Sequence, residues 1–77
     1  MADIPGMVES IAKGLAENAE AVKVTAYDRG RQKVVRLEVA QEDMGRVIGR
    51  DGRVANAIRS LLKAAPQGEQ WWLEIVD

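Results

Sequence analysis

Cysteine, histidine and phenylalanine are absent from the 77 residues, and aromatic residues make up only 4%. Without thiol or imidazole there is no disulfide frame, zinc ribbon, cysteine nucleophile or imidazole base. Any metal site would be built from carboxylates alone, and neither metal nor cofactor is expected. No apolar run reaches the length of a signal-peptide core or a membrane span, so the sequence predicts a soluble cytoplasmic protein with no membrane partner. Repeats, low-complexity tracts and linkers are missing too, which predicts one domain over 1–77.

What is present is enough to fold. Apolar residues are 47% and charged residues 30%, too much burial capacity for a disordered chain. A core this small has no covalent or metal staple, which favours burying more surface against a second copy, so a homodimer is expected. The net charge of −1 hides an uneven distribution: residues 1–45 carry −2, residues 46–63 carry +4 and residues 64–77 carry −3. The basic segment holds Arg46, Arg50, Arg53, Arg59 and Lys63 against Asp51 alone. Because salt screens charges over about 8 Å, a local patch outweighs the net charge and suits an anionic ligand held in one place.

Periodicity sets out the elements. Asp3 as cap and Pro5 in the first turn open a helix over 4–17, with Ile4, Met7, Val8, Ile11 and Leu15 on its buried face and Asn18 as its stop. The period then drops to two. Val22, Val24 and Ala26 form the core side of a strand over 21–27, and Val35, Leu37 and Val39 that of a strand over 32–40, joined by turn residues Asp28 to Arg31. Gln41, Glu42 and Asp43 open a short helix carrying Met44, Val47 and Ile48, the carboxylates reading as favourable charge at a positive dipole end. A longer helix begins near Gly52, directs Val54, Ala57, Ile58, Leu61 and Leu62 to the core, and ends before Pro66 and Gly68. Trp71, Leu73 and Ile75 alternate with Trp72, Glu74 and Val76 in a last strand. The order αββααβ predicts an α+β fold, a three-stranded sheet covered on one face by three helices.

The stretch that carries chemistry is Val47-Ile48-Gly49-Arg50-Asp51-Gly52-Arg53-Val54. Glycines at both ends of a four-residue link reverse the chain quickly and let a ligand backbone come close. The following helix aims unpaired N–H groups and its positive end at the link, while Arg46, Arg50 and Arg53 add forked donors. With seven glycines in 77 residues a Gly-x-x-Gly spacing arises by chance about 0.6 times. The setting between two amphipathic helices is more selective than the spacing. On the residues alone, a phosphate site and an ordinary helix-turn-helix corner with solvated arginines stand level.

These residues resemble the KH domain in its type II arrangement, αββααβ, across the whole chain. More narrowly, Glu42-Asp43-Met44-Gly45-Arg46-Val47-Ile48-Gly49, then Gly52-Arg53 and Ala57-Ile58-Arg59, resemble the KhpA family of small bacterial single-KH proteins. The resemblance implies a cytoplasmic RNA-binding protein or RNA chaperone, forming homodimers or a complex with a KhpB (Jag) type partner, and linked to cell-wall synthesis, cell division and cell shape. A KH loop clamps about four nucleotides of single-stranded RNA by their backbone while bases lie in an apolar groove beside it. Carried over, Gly49, Arg50, Asp51 and Gly52 form the clamp, Arg46 and Arg53 flank it, and Ile48 and Val54 offer surface to the groove, as does Val47 if it is not wholly core. Asp51 departs from the neutral or basic residue common there and implies weak affinity. Gly49→Asp or Gly52→Asp is expected to reduce RNA binding far more than stability.

Trp71 belongs with the core. Trp72 points the other way and has three readings: a stacked base, a subunit contact, or a side chain lying on the open sheet. The last two are preferred, because the loop is on the helical side. An enzyme is disfavoured: the loop lacks the Gly-Lys-Ser/Thr ending of a nucleotide-binding loop, and Ser10, Thr25 and Ser60 have only lysine as a base. The remaining alternative is an interaction or dimerisation module with little intrinsic RNA binding.

Overall fold

The computed structural model describes residues 3–66 and 70–77. Helix α1 spans Ile4–Leu15, strands β1 and β2 span Lys23–Arg29 and Gln32–Glu38, helices α2 and α3 span Met44–Ile48 and Arg53–Ala64, and strand β3 spans Trp71–Val76. Single 3-10 turns precede β1 (Ala19–Ala21), α2 (Gln41–Asp43) and α3 (Arg50–Gly52). Asp3 caps α1 by accepting the Gly6 amide at 3.3 Å, with Pro5 in the first turn where its missing N–H costs nothing.

The sheet order is β1-β2-β3. The hairpin is antiparallel, with Val24 opposite Leu37 and Tyr27 opposite Val34. β2 and β3 run parallel, Val35 opposite Leu73, so the whole of α2 and α3 lies in the crossover between them. Val8 and Ala12 of α1, Val35 and Leu37 of β2, Val47 of α2, Ile58 and Leu62 of α3 and Leu73 of β3 meet in one core. Each large side chain buried there stabilises the fold by about 1.5 to 3 kcal/mol.

Several expected details shift. α1 ends at Leu15 rather than 17, and Leu15 is exposed while Ala12 takes the buried position. The hairpin strands are displaced to Lys23–Arg29 and Gln32–Glu38, with the turn at Gly30 and Arg31, and Ala26 is exposed. On α3 the buried stripe is Ala55, Ile58 and Leu62; Ala57 is exposed and Leu61 is 53% exposed. Alanine carries little apolar signal, so composition could not distinguish 55 from 57. α3 ends at Ala64, and Gly68, expected beyond its end, lies outside the described residues. Val34, which alternation with Val35 and Leu37 turns away from the core, is nonetheless fully buried on the outer sheet face, with Tyr27 and Trp72 as its cross-strand neighbours. That outer face also carries a polar cluster: the Tyr27 hydroxyl donates to Glu74 Oε1 at 3.1 Å, and Arg36 Nε lies 3.6 Å from the same oxygen.

Candidate nucleic-acid interface

Five residues cannot hold a helix in place by their own hydrogen bonds, so α2 depends on its anchors. Val47 roots it in the core, and Asp43, 0% exposed, anchors its start. The two Asp43 carboxylate oxygens accept the amides of Glu17 and Asn18, each at 3.0 Å, and Arg46 Nη1 donates to Oδ1 at 3.3 Å. These oxygens therefore terminate the loop after α1 rather than serving as exposed charge at a dipole end, which corrects the expectation for Asp43. The Asn18 and Glu17 amides, helped by Arg46, hold the carboxyl below its ordinary value against the opposing cost of burial. A partner twenty-five residues away in sequence leaves no local signature, so sequence reasoning missed this role.

At the other end of α2 the chain turns sharply. Gly49 closes the helix, donating to the Gly45 carbonyl at 2.9 Å, with φ 77° and ψ 173°. That conformation is open essentially to glycine alone. A Cβ here would lie 2.8 Å from the Val54 backbone nitrogen and closer still to the Val54 side chain. Gly52 has φ 77° and ψ 13° and caps α3, but a Cβ there would meet nothing nearer than Asn56 Nδ2 at 3.8 Å. Gly49 is thus bound to the fold, so Gly49→Asp carries a stability cost of its own beside any loss of binding, whereas Gly52 has open space. Asp51 between them sits at φ 57°, ψ 25°, a left-handed conformation that aspartate tolerates better than most residues. This supplies a backbone reason for the carboxylate in the loop.

The expected site residues separate into two groups. Arg50, Asp51 and Arg53 are exposed around the loop, and Ile48, Gly49, Gly52 and Val54 are partly exposed beside them. Among the described residues, Arg50 and Arg53 form no ion pair, and the Arg50 and Asp51 amides have no hydrogen-bond partner. Arg46 is engaged elsewhere, with Asp43 and with Glu17 at 3.8 Å. Val47 is wholly core. Arg59, counted in the basic segment, donates through Nη2 to the Leu73 carbonyl at 3.1 Å and stacks on Trp72, its guanidinium carbon 4.6 Å from the ring centroid. The positive segment is therefore two tied arginines, a pair at the loop with no ion-pair partner among the described residues, and an exposed Lys63 further along α3. Trp71 packs against the core, with Lys33 Nζ 5.7 Å from its ring, while Trp72 remains 43% exposed.

A family model described as KhpA/KhpB, KH domain, matches residues 6–71. The chain belongs to this family. The KhpA/KhpB KH domains are not a family of enzymes, and the αββααβ order with its mixed sheet is the type II KH fold. The RNA-binding protein KhpA of Caldanaerobacter subterraneus subsp. tengcongensis is 47% identical over 64 residues, 83% of this chain and 85% of the relative. The RNA-binding protein KhpA of Leifsonia xyli subsp. xyli is 39% identical over 67 residues, 87% of this chain and 88% of the relative. That of Aquifex aeolicus is 35% identical over an alignment of 79, spanning 100% of both. No solved structure matches the chain. Among the described residues, no helix is long and apolar enough to cross a membrane.

Proposed function

We propose that the protein binds single-stranded RNA, gripping the sugar-phosphate backbone at Gly49, Arg50, Asp51 and Gly52, and that it works as one KH domain over 1–77. The observation that carries this reading is the loop: two amides and two arginines, Arg50 and Arg53, without partners among the described residues, at the start of a twelve-residue helix. Phosphate is the ligand such a helix start favours. The ligand class is supported by the relatives, which are named RNA-binding proteins. Arg46, Ile48 and Val54 flank the clamp as secondary contacts.

The wider role in this proposal is that of a cytoplasmic RNA chaperone, acting as a homodimer or with a KhpB/Jag-type partner in the control of cell-wall synthesis and cell shape. Exposed Leu61 and Trp72 offer apolar surface for a subunit contact, and joining two weak sites multiplies affinity. A second reading, an interaction module with little RNA binding, is favoured by the exposed Asp51 carboxylate in the loop.

Salt titration of RNA binding separates the two. A clamp gives log K falling with log salt at about 0.7 per phosphate neutralised on a single strand, and Arg50→Asp weakens binding and flattens that slope. Crosslinking to RNA unchanged by Arg50→Asp in a folded protein overturns the clamp.

A further inference from the structure

The loop opens onto a helix face whose chemistry the clamp does not use. α3 contains no acidic residue, and Gly52, Asn56, Arg59 and Lys63 recur at i, i+4, i+7 and i+11, one stripe along the helix. The stripe is physically continuous near the loop. A Cβ at Gly52 would lie 3.8 Å from Asn56 Nδ2, and Arg59 Nη1 donates to Asn56 Oδ1 at 3.5 Å. Along the helix axis Asn56 lies about 6 Å and Arg59 about 10 Å from Gly52, within the reach of a clamp for about four nucleotides. The opposite direction, back along α2, leads to Arg46, whose guanidinium is already shared between Asp43 and Glu17.

Arg59 is held rigidly at the far end of this stretch. Nη2 is bound to the Leu73 carbonyl, the guanidinium lies on Trp72, and buried Nε has no hydrogen-bond partner among the described residues. Its position in turn limits where the Asn56 carboxamide can swing. Asn56 itself is exposed, so its amide, a donor and an acceptor side by side, is available to a ligand.

Resting on the clamp reading, we infer that Asn56, backed by Arg59 and Trp72, reads the base that follows the gripped backbone and gives the protein a preference for adenine. An asparagine carboxamide accepts from adenine N6 and donates to adenine N7 in one bidentate pair. Because Asn56 is exposed and outside the core, Asn56→Ala removes this pair without unfolding the protein, which a thermal melt monitored by circular dichroism verifies.

The test measures binding of uridine octamers carrying a central A, C, G or U, at one salt concentration, to the wild type, Asn56→Ala and Arg50→Asp. The expected result is roughly tenfold tighter binding of the adenine octamer by the wild type, abolished in Asn56→Ala with the other three octamers unchanged. No adenine preference in the wild type, or one that persists in Asn56→Ala, overturns the inference while leaving the clamp standing. Arg50→Asp reports on the clamp separately: it is expected to weaken all four octamers together, and unchanged binding there overturns the clamp. Absence of binding to every octamer overturns both.

Discussion

At one end of α2 a carboxylate with no solvent contact collects two amides and a guanidinium, whereas at the other end a glycine passes the chain to a loop whose arginines face water. Arg46 and Arg50 stand four residues apart and contribute equally to a charge count, yet one is occupied internally and the other is exposed with no ion pair among the described residues. The difference shows how a very short helix presents an accessible loop. Its fixed end carries the ordering, so the open end can leave its amides and cations unsatisfied.

Substitutions at the two ends should accordingly have crossed effects, stability lost at the first and binding lost at the second. The largest effect is expected from Asp43→Ala, which strands the Glu17 and Asn18 amides and leaves Arg46 without its buried partner; thermal melts should show the steepest fall of the set. Asp43→Asn retains an acceptor and should fall less. The folded-state pKa of Asp43 is lowered, so its stabilising contribution is complete above the ordinary value of 3.8 and disappears as pH falls through the lower folded value. A plot of melting temperature against pH should therefore fall as pH descends from 3.8 through the lower folded value in the wild type and flatten in Asp43→Asn.

Next comes Gly49→Ala. With a strained backbone and a Cβ driven against Val54, it should cost about 2 to 4 kcal/mol in chemical denaturation, whereas Gly52→Ala, left-handed but in open space, should cost about 1 to 2 kcal/mol. Equal costs would break the distinction between the two glycines. Arg50→Asp should leave denaturation within about 0.5 kcal/mol of the wild type and yet lower RNA affinity roughly tenfold, since it reverses a charge at the proposed phosphate grip. The smallest change is expected from Asp51→Asn, which keeps a residue tolerant of left-handed backbone and removes the negative charge: stability unchanged, RNA affinity raised a few-fold in the same assay.

The order of elements, the parallel last strand's alternation and the glycine-bounded link were legible because each is written locally, in periods of 3.6 or two and in residues with special backbone freedom. Positions that misled depend on distant partners. Val34 is buried by Tyr27 and Trp72, which sit on other strands. Asp43 is defined by amides on the far side of the hairpin, and Arg59 by a carbonyl of β3. Leu61 and Ala57 follow the helical period, but a twelve-residue helix packed on one side only buries a narrower stripe than a leucine-rich sequence suggests. Charge was the least legible property. Ion pairs with Asp43 and Glu17, and a hydrogen bond to a carbonyl, decide which arginines remain available.

Because β3 pairs with β2 in parallel, the segment from Val39 to Gln70 must be synthesised before the sheet can close. The Leu73 carbonyl that anchors Arg59 arrives with that final strand. A nascent chain emerging from the ribosome therefore has its glycine link before it has a rigid wall beside α3, and maturation of that surface coincides with β3 joining the sheet. Truncation after Pro66 would leave the loop letters intact but deprive the neighbouring helix of its docking edge, so competence waits on the synthesis of β3.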